Sequence, residues 1–144
     1  MKRTLFVAPL LALSAGIVFA QSDPIAERQA LMKANGKAAQ AVAAMLKGAP
    51  FDLATVQASL KTFVDAAQKG PALFPDDSKS GGNTHALLAI WQDKADFSAH
   101  FAKLGDDATA LLGSIKDEAS FKASMPGLFQ DCGGCHEKYR AKSE

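Results

Sequence analysis

Residues 117–140 read Asp-Glu-Ala-Ser-Phe-Lys-Ala-Ser-Met-Pro-Gly-Leu-Phe-Gln-Asp-Cys-Gly-Gly-Cys-His-Glu-Lys-Tyr-Arg. Phe121, Met125, Phe129, Cys132, His136 and Tyr139 recur at intervals of three and four, so one face of a helix starting near Asp117 carries them all. Pro126 falls inside this run and is expected to kink the helix or split off its first turn. An apolar face of this length needs partner helices to bury it.

Three such partners lie upstream. The first runs from about Pro24 to Lys47, with Asp23 as N-cap and Gly48 and Pro50 as the stop. Ile25, Arg28, Leu31, Met32, Asn35, Ala39, Val42 and Leu46 form its stripe. Gly36 interrupts it and is expected to mark a close backbone approach. The second starts at the Asp52 cap, repeats Val56, Leu60, Phe63, Val64 and Ala67, and ends at Gly70-Pro71. A long loop, Pro71 to about Thr84, follows; loops of that length in a compact domain are functional or mobile. The third helix is expected from Leu87 to Ile115, bent near Trp91–Asp93, with Trp91, Phe97, Phe101, Leu104, Ala108, Leu111 and Leu112 as its apolar face. Period-two runs are absent and alanine is abundant. The expected fold is all-α, an antiparallel up-down-up-down four-helix bundle in which the start of the first helix lies beside the end of the fourth.

The chain of 144 residues suffices for one domain, and 48% hydrophobic against 22% charged residues supports a packed core. Residues 1–20 are set apart: Lys2 and Arg3, an apolar run from Leu5 to Phe19, then Val18-Phe19-Ala20, the pattern of a secretory signal cut after Ala20. The run is too short for a spanning helix, so no membrane insertion is expected after cleavage. The destination expected is the periplasm, and the domain is residues 21–144. Without Lys2 and Arg3 there are 14 Lys and Arg against 15 Asp and Glu, a net charge of −1, which offers no footprint for nucleic acid.

Cys132-Gly133-Gly134-Cys135-His136 carries the chemistry. Two thiols at this spacing can each form a thioether with one vinyl group of a haem, and the next residue brings an imidazole under the iron. The glycines between them leave room for the ring. A disulfide closing a two-residue loop would stabilise little, a thioredoxin-like pair needs strands this chain lacks, and zinc would want a fourth ligand. One covalent haem c, with Cys132 and Cys135 attaching it and His136 ligating the iron, is the expected cofactor.

The opposite axial position is expected from the early first helix. Met45 lies about 20 Å beyond Met32 along the axis, and Met125 lies about 16 Å from His136 on the same helix, which leaves Met32 at a sensible level. Met32 is either an iron ligand or packing against the ring. His85 and His100 are expected to face solvent. Arg28 and Arg140, each one turn from Met32 or His136, are either partners of the haem propionates or surface arginines, and Gln29 is a weaker candidate. Trp91 and Phe97 serve either the haem edge or the core.

These residues resemble a known family, the class II cytochromes c, which place Cys-x-x-Cys-His-x-x-Tyr/Phe-Arg near the end of a four-helix bundle; here that is Cys132 to Arg140. Arg28-Gln29-Ala30-Leu31-Met32 looks like the family's distal segment. Met32-Lys33-Ala34-Asn35-Gly36, Leu73-Phe74-Pro75 and Ile90-Trp91 are most similar to the low-spin branch, cytochrome c-556, although Leu87 and Ala89 stand where that branch often has proline. The low-spin branch implies a six-coordinate His136/Met32 iron and transient electron transfer to redox partner proteins. The high-spin branch, cytochrome c', implies a vacant site that binds nitric oxide or carbon monoxide, and some of its members also carry methionine at this position. High-spin members often pair through the first two helices and low-spin ones tend to be monomeric, so monomer and homodimer both stand. No enzyme activity is expected, since the first helix offers no distal His-Arg pair for peroxide chemistry.

Overall fold

A computed structural model describes residues 23–142; the signal segment lies outside them. The described chain is all-helical, as expected, and forms the four-helix bundle. Helix α1 spans Pro24–Leu46, and the Asp23 carboxylate accepts from the Ile25 N–H at 2.9 Å. Helix α2 spans Leu53–Lys69, capped by Asp52, which accepts from the Ala54 and Thr55 N–H groups. These caps satisfy amides that a helix start leaves without partners.

The third element departs from the expectation of one bent helix. A single turn, α3 (Ala89–Gln92), precedes a long α4 (Lys94–Ser114), and Asp93 between them leaves helical geometry at φ −138° and ψ 70°. The Asp93 side chain then accepts from the Asp96 N–H at 3.0 Å. An aspartate that caps a new helix breaks the old one, because its side chain competes for the backbone donors. Helix α5 (Glu118–Tyr139) opens with a capping box between Asp117 and Ser120 and runs as one element through Pro126, so of the two outcomes expected there, a kink or a split, no first turn is split off. Pro126 and Lys122, whose carbonyl loses its donor, are both exposed, so water can take up the bond. The long loop is also more ordered than a bare connection: 3₁₀ turns occupy Gly70–Leu73 and Asp76–Ser78.

Helix α2 packs against α1 and α4, and α4 against α5, whereas α1 and α5 scarcely approach each other in backbone terms. Their side chains meet at one end of the bundle, where Val42 and Met45 share a core with Phe121, Met125 and Leu128. Toward the other end a space opens between them. Two glycines explain close approaches elsewhere: a Cβ at Gly70 would lie 2.2 Å from the Phe101 ring, and one at Gly105 would lie 2.8 Å from the Ala67 Cβ. Gly36 marks no such approach, contrary to expectation; a Cβ there meets nothing within 4 Å, because Gly36 borders the open space.

Candidate haem site

Two adjoining cavities, each about 220 Å³, occupy the space between α1 and α5. Met32, Phe101, Cys135, His136 and Arg140 border both. The first cavity adds Arg28 and Gln29 from α1, the loop residues Phe74 and His85, and Ile90, Phe97 and Tyr139. The second adds Asn35, Gly36, Phe63, His100, Asp131 and Cys132. The antiparallel pairing of α1 with α5 thus brings Met32 to the level of His136, as helix arithmetic anticipated.

The aromatic wall is tightly built. The Phe97 ring meets Phe74, Phe101 and Tyr139 edge to face, at centroid distances of 4.7, 5.2 and 5.2 Å. Asp96 fixes the last turn of α5 to the first turn of α4. It accepts from the Tyr139 hydroxyl and, at 2.8 Å, from Lys138 Nζ. Lys138 foremost, then Tyr139, holds the Asp96 carboxyl below its ordinary range. The turn after His136 is tied further by backbone bonds, Leu87 N–H to the Tyr139 carbonyl at 3.0 Å and Ala141 N–H to the His85 carbonyl at 2.8 Å.

Cys132 and Cys135 form no disulfide. Before attachment, burial pushes both thiols up, Cys135 to about 11. His136 is pushed down by burial and then by the Arg140 charge, so its imidazole is neutral, the form that ligates a metal. Gly133 and Gly134 lie on the exposed side, where no protein atom demands glycine. Buried Asn35 Oδ1 and Asp131 Oδ2 find no hydrogen-bond partner among the described residues, and both residues border the second cavity. Buried acceptors of this kind mark a space that another group completes. Apolar walls, two thiols on one edge and a neutral imidazole fit an iron porphyrin attached through its vinyl groups.

The other candidates fall in different places. Arg28 borders the first cavity but is buried, and its guanidinium bonds to the loop. Gln29 is exposed and donates from Nε2 to the Gly82 carbonyl at 2.8 Å. Arg140 is exposed and borders both cavities. His85 is exposed at the rim of the first cavity, while His100 turns inward to the second, its ring 5.8 Å from that of Tyr139. Asn35 and Asp131 were invisible as site residues in the sequence. Their only signal was position, Asn35 three residues after Met32 and Asp131 next to Cys132.

The profile of the family described as Cytochrome C' matches residues 23–140. A cytochrome c' from Rhodopseudomonas palustris is 53% identical over 137 residues, 94% of each chain, and a cytochrome c-556 from the same organism is 37% identical over 99% of each. Among solved structures, R. palustris cytochrome c' superposes with a TM-score of 0.84 at 54% identity, covering 86% of this chain and all of that one. The R. palustris cytochrome c556 structure reaches 0.79 at 35% identity, with the same coverage of this chain and all of its own. A match over almost the whole described bundle shows that the chain belongs to the cytochrome c' family of class II cytochromes, which bind haem c covalently with its iron.

Proposed function

We propose that this protein is a periplasmic haem protein of the high-spin kind: His136 holds the iron from one side, and the position facing Met32 is left for a small gas such as nitric oxide or carbon monoxide. Cys132 and Cys135 attach the ring, and Arg140 and Gln29 stand at the rim where haem carboxylates would meet water. The observation that carries this reading is the comparison within one organism, where the chain is 53% identical to the cytochrome c' and 37% to the cytochrome c-556. The structures rank in the same order. The haem supplies a gas-binding iron; the protein supplies an apolar chamber around it. Met32, half-buried against the cluster that includes Phe74, Ile90 and Phe97, is a flexible thioether suited to a gate that yields to a small ligand.

The six-coordinate electron carrier, with His136 and Met32 as ligands and transient redox partners, stands as the second reading. Met32 bordering both cavities together with His136 favours it, as do c-556 relatives such as that of Agrobacterium fabrum, 41% identical over 90% of this chain and 88% of that protein. On either reading the protein is an electron carrier or ligand binder and not an enzyme. The high-spin reading also favours a homodimer over a monomer, through the groove between α1 and α2 that Leu31, Ala34, Ala66 and Leu73 line.

Visible spectra of the mature protein, ferric and ferrous, from cells able to attach haem c test the choice. High-spin spectra and carbon monoxide uptake that displaces no ligand are expected. A low-spin spectrum with a weak red methionine-to-iron band would hand the assignment to the second reading. Met32→Ala separates the two again: a gate yields faster uptake with the spin state unchanged, whereas a lost ligand turns low-spin iron high-spin.

A further inference from the structure

We propose that Arg28 is the positioning residue of the Met32-side wall: it staples the segment from Leu73 to Thr84 onto α1 and so sets how freely a small ligand reaches the iron. The gas-access half rests on the high-spin reading; the staple itself does not.

A buried arginine has to satisfy its donors, and the direction in which it spends them shows its task. Arg28 is 4% exposed. Its Nη1 donates to the Leu73 carbonyl at 3.1 Å and to Ser78 Oγ at 2.8 Å. Its Nη2 donates to the Ser78 carbonyl and to Thr84 Oγ1, both at 2.8 Å. The four terminal N–H groups are thereby used, all on one stretch of chain. The guanidinium also lies 4.8 Å from the centroid of the Phe74 ring and 5.9 Å from that of Trp91. A lysine, a single point charge on a flexible stem, cannot reproduce this fork.

The stapled segment forms part of the cavity. Phe74, Thr84, His85 and Ala86 border the space that Met32 and His136 also border. Beyond two 3₁₀ turns the segment has no regular structure to hold its shape. Its other ties are at its ends or in water: Trp91 Nε1 donates to the Phe74 and Pro75 carbonyls, the His85 carbonyl accepts from Ala141, and exposed bonds run from Lys94 Nζ to Asp76 and from Gln29 Nε2 to the Gly82 and Asn83 carbonyls. Between them, Ser78 hangs on Arg28. Since Arg28 is one helical turn from Met32, the wall and the gate share one anchor.

The test compares the haem-loaded wild type with Arg28→Lys and Arg28→Gln. Hydrogen exchange over residues 73–86 is expected to rise about tenfold or more in both variants, and the carbon monoxide on-rate after flash photolysis to rise with it. A role in pairing with a haem carboxylate predicts the opposite ranking, with Arg28→Lys restored to wild type; that result overturns the staple, as does unchanged exchange in both. Raised exchange with an unchanged on-rate overturns the access half. If the Arg28 variants do not fold, Ser78→Ala with Thr84→Val removes two acceptors and leaves the arginine: faster exchange in the segment supports the staple, and unchanged exchange overturns it. A low-spin wild-type spectrum would refute the high-spin reading and with it the access half, while the exchange comparison still decides the staple.

Discussion

The bundle has two cores, and they differ in what completes them. One joins Val42, Met45, Val56, Leu60, Phe63, Leu104, Ala108, Ile115, Phe121, Met125 and Leu128, side chains from all four long helices that close on one another. The other joins Phe74, Ile90, Phe97, Phe101 and Tyr139, with half-buried Met32, Trp91 and Cys135 against them, and it surrounds a cavity. Helix α1 contributes Val42 and Met45 fully to the first core and only the edge of Met32 to the second. Four helices bury themselves where α1 meets α5. Where the two stand apart they leave the two cavities, which on the proposed reading the haem would fill in place of the missing contacts. Stability should therefore divide along the bundle, one end intrinsic to the chain and the other conferred by the cofactor.

The largest expected effect comes from removing the attachment. Cys132→Ala with Cys135→Ala abolishes covalent haem, and hydrogen exchange should then lose protection around residues 74–91 and 132–140 while Val42, Leu60 and Phe121 keep theirs. Uniform loss along the chain would show a single cooperative core and break the division. Next in size is Phe121→Ala, which deletes a fully buried ring from the closed core. It should cost about 3–5 kcal/mol in chemical denaturation, and by a similar amount with or without haem. The division would be sharpened if Phe97→Ala behaved otherwise, costing much more in the haem-loaded protein than in the chain without haem. Smaller still is Gly70→Ala. Its Cβ would land 2.2 Å from the Phe101 ring, which borders both cavities. Overpacking of this kind costs about 1–3 kcal/mol, and the displaced ring should shift the Soret band along with the melting midpoint.

The two cores were unequally legible. The closed one follows from periodicity, because Val56, Leu60 and Phe63 on α2 and Phe121 and Met125 on α5 recur at helical spacing and nothing else competes for them. The helix caps Asp23, Asp52 and Asp117 were equally local, a side chain reaching amides two or three residues away. The break at Asp93 was local as well: it falls within the bend expected at Trp91–Asp93, but the apolar positions alone do not show that the backbone leaves the helix there. Periodicity reports which face is buried and is silent on where the backbone changes partner.

At the site, the sequence by itself carries the proposed attachment chemistry, since Cys132, Cys135 and His136 lie within five residues of one helix and their spacing is set by covalent geometry. It also placed Met32 opposite His136, because an antiparallel bundle relates distances along α1 to distances along α5. Only the tertiary structure decided what Arg28 does. One turn from Met32 it reads as a residue facing the cofactor, but its hydrogen bonds run to Leu73, Ser78 and Thr84, remote in sequence and brought to it by the path of the loop. The same holds for Asn35 and Asp131, whose unpartnered oxygens gain meaning from the cavity they border. A pattern within one helix is written in its local spacing; a bond between α1 and a loop depends on where the rest of the chain has folded.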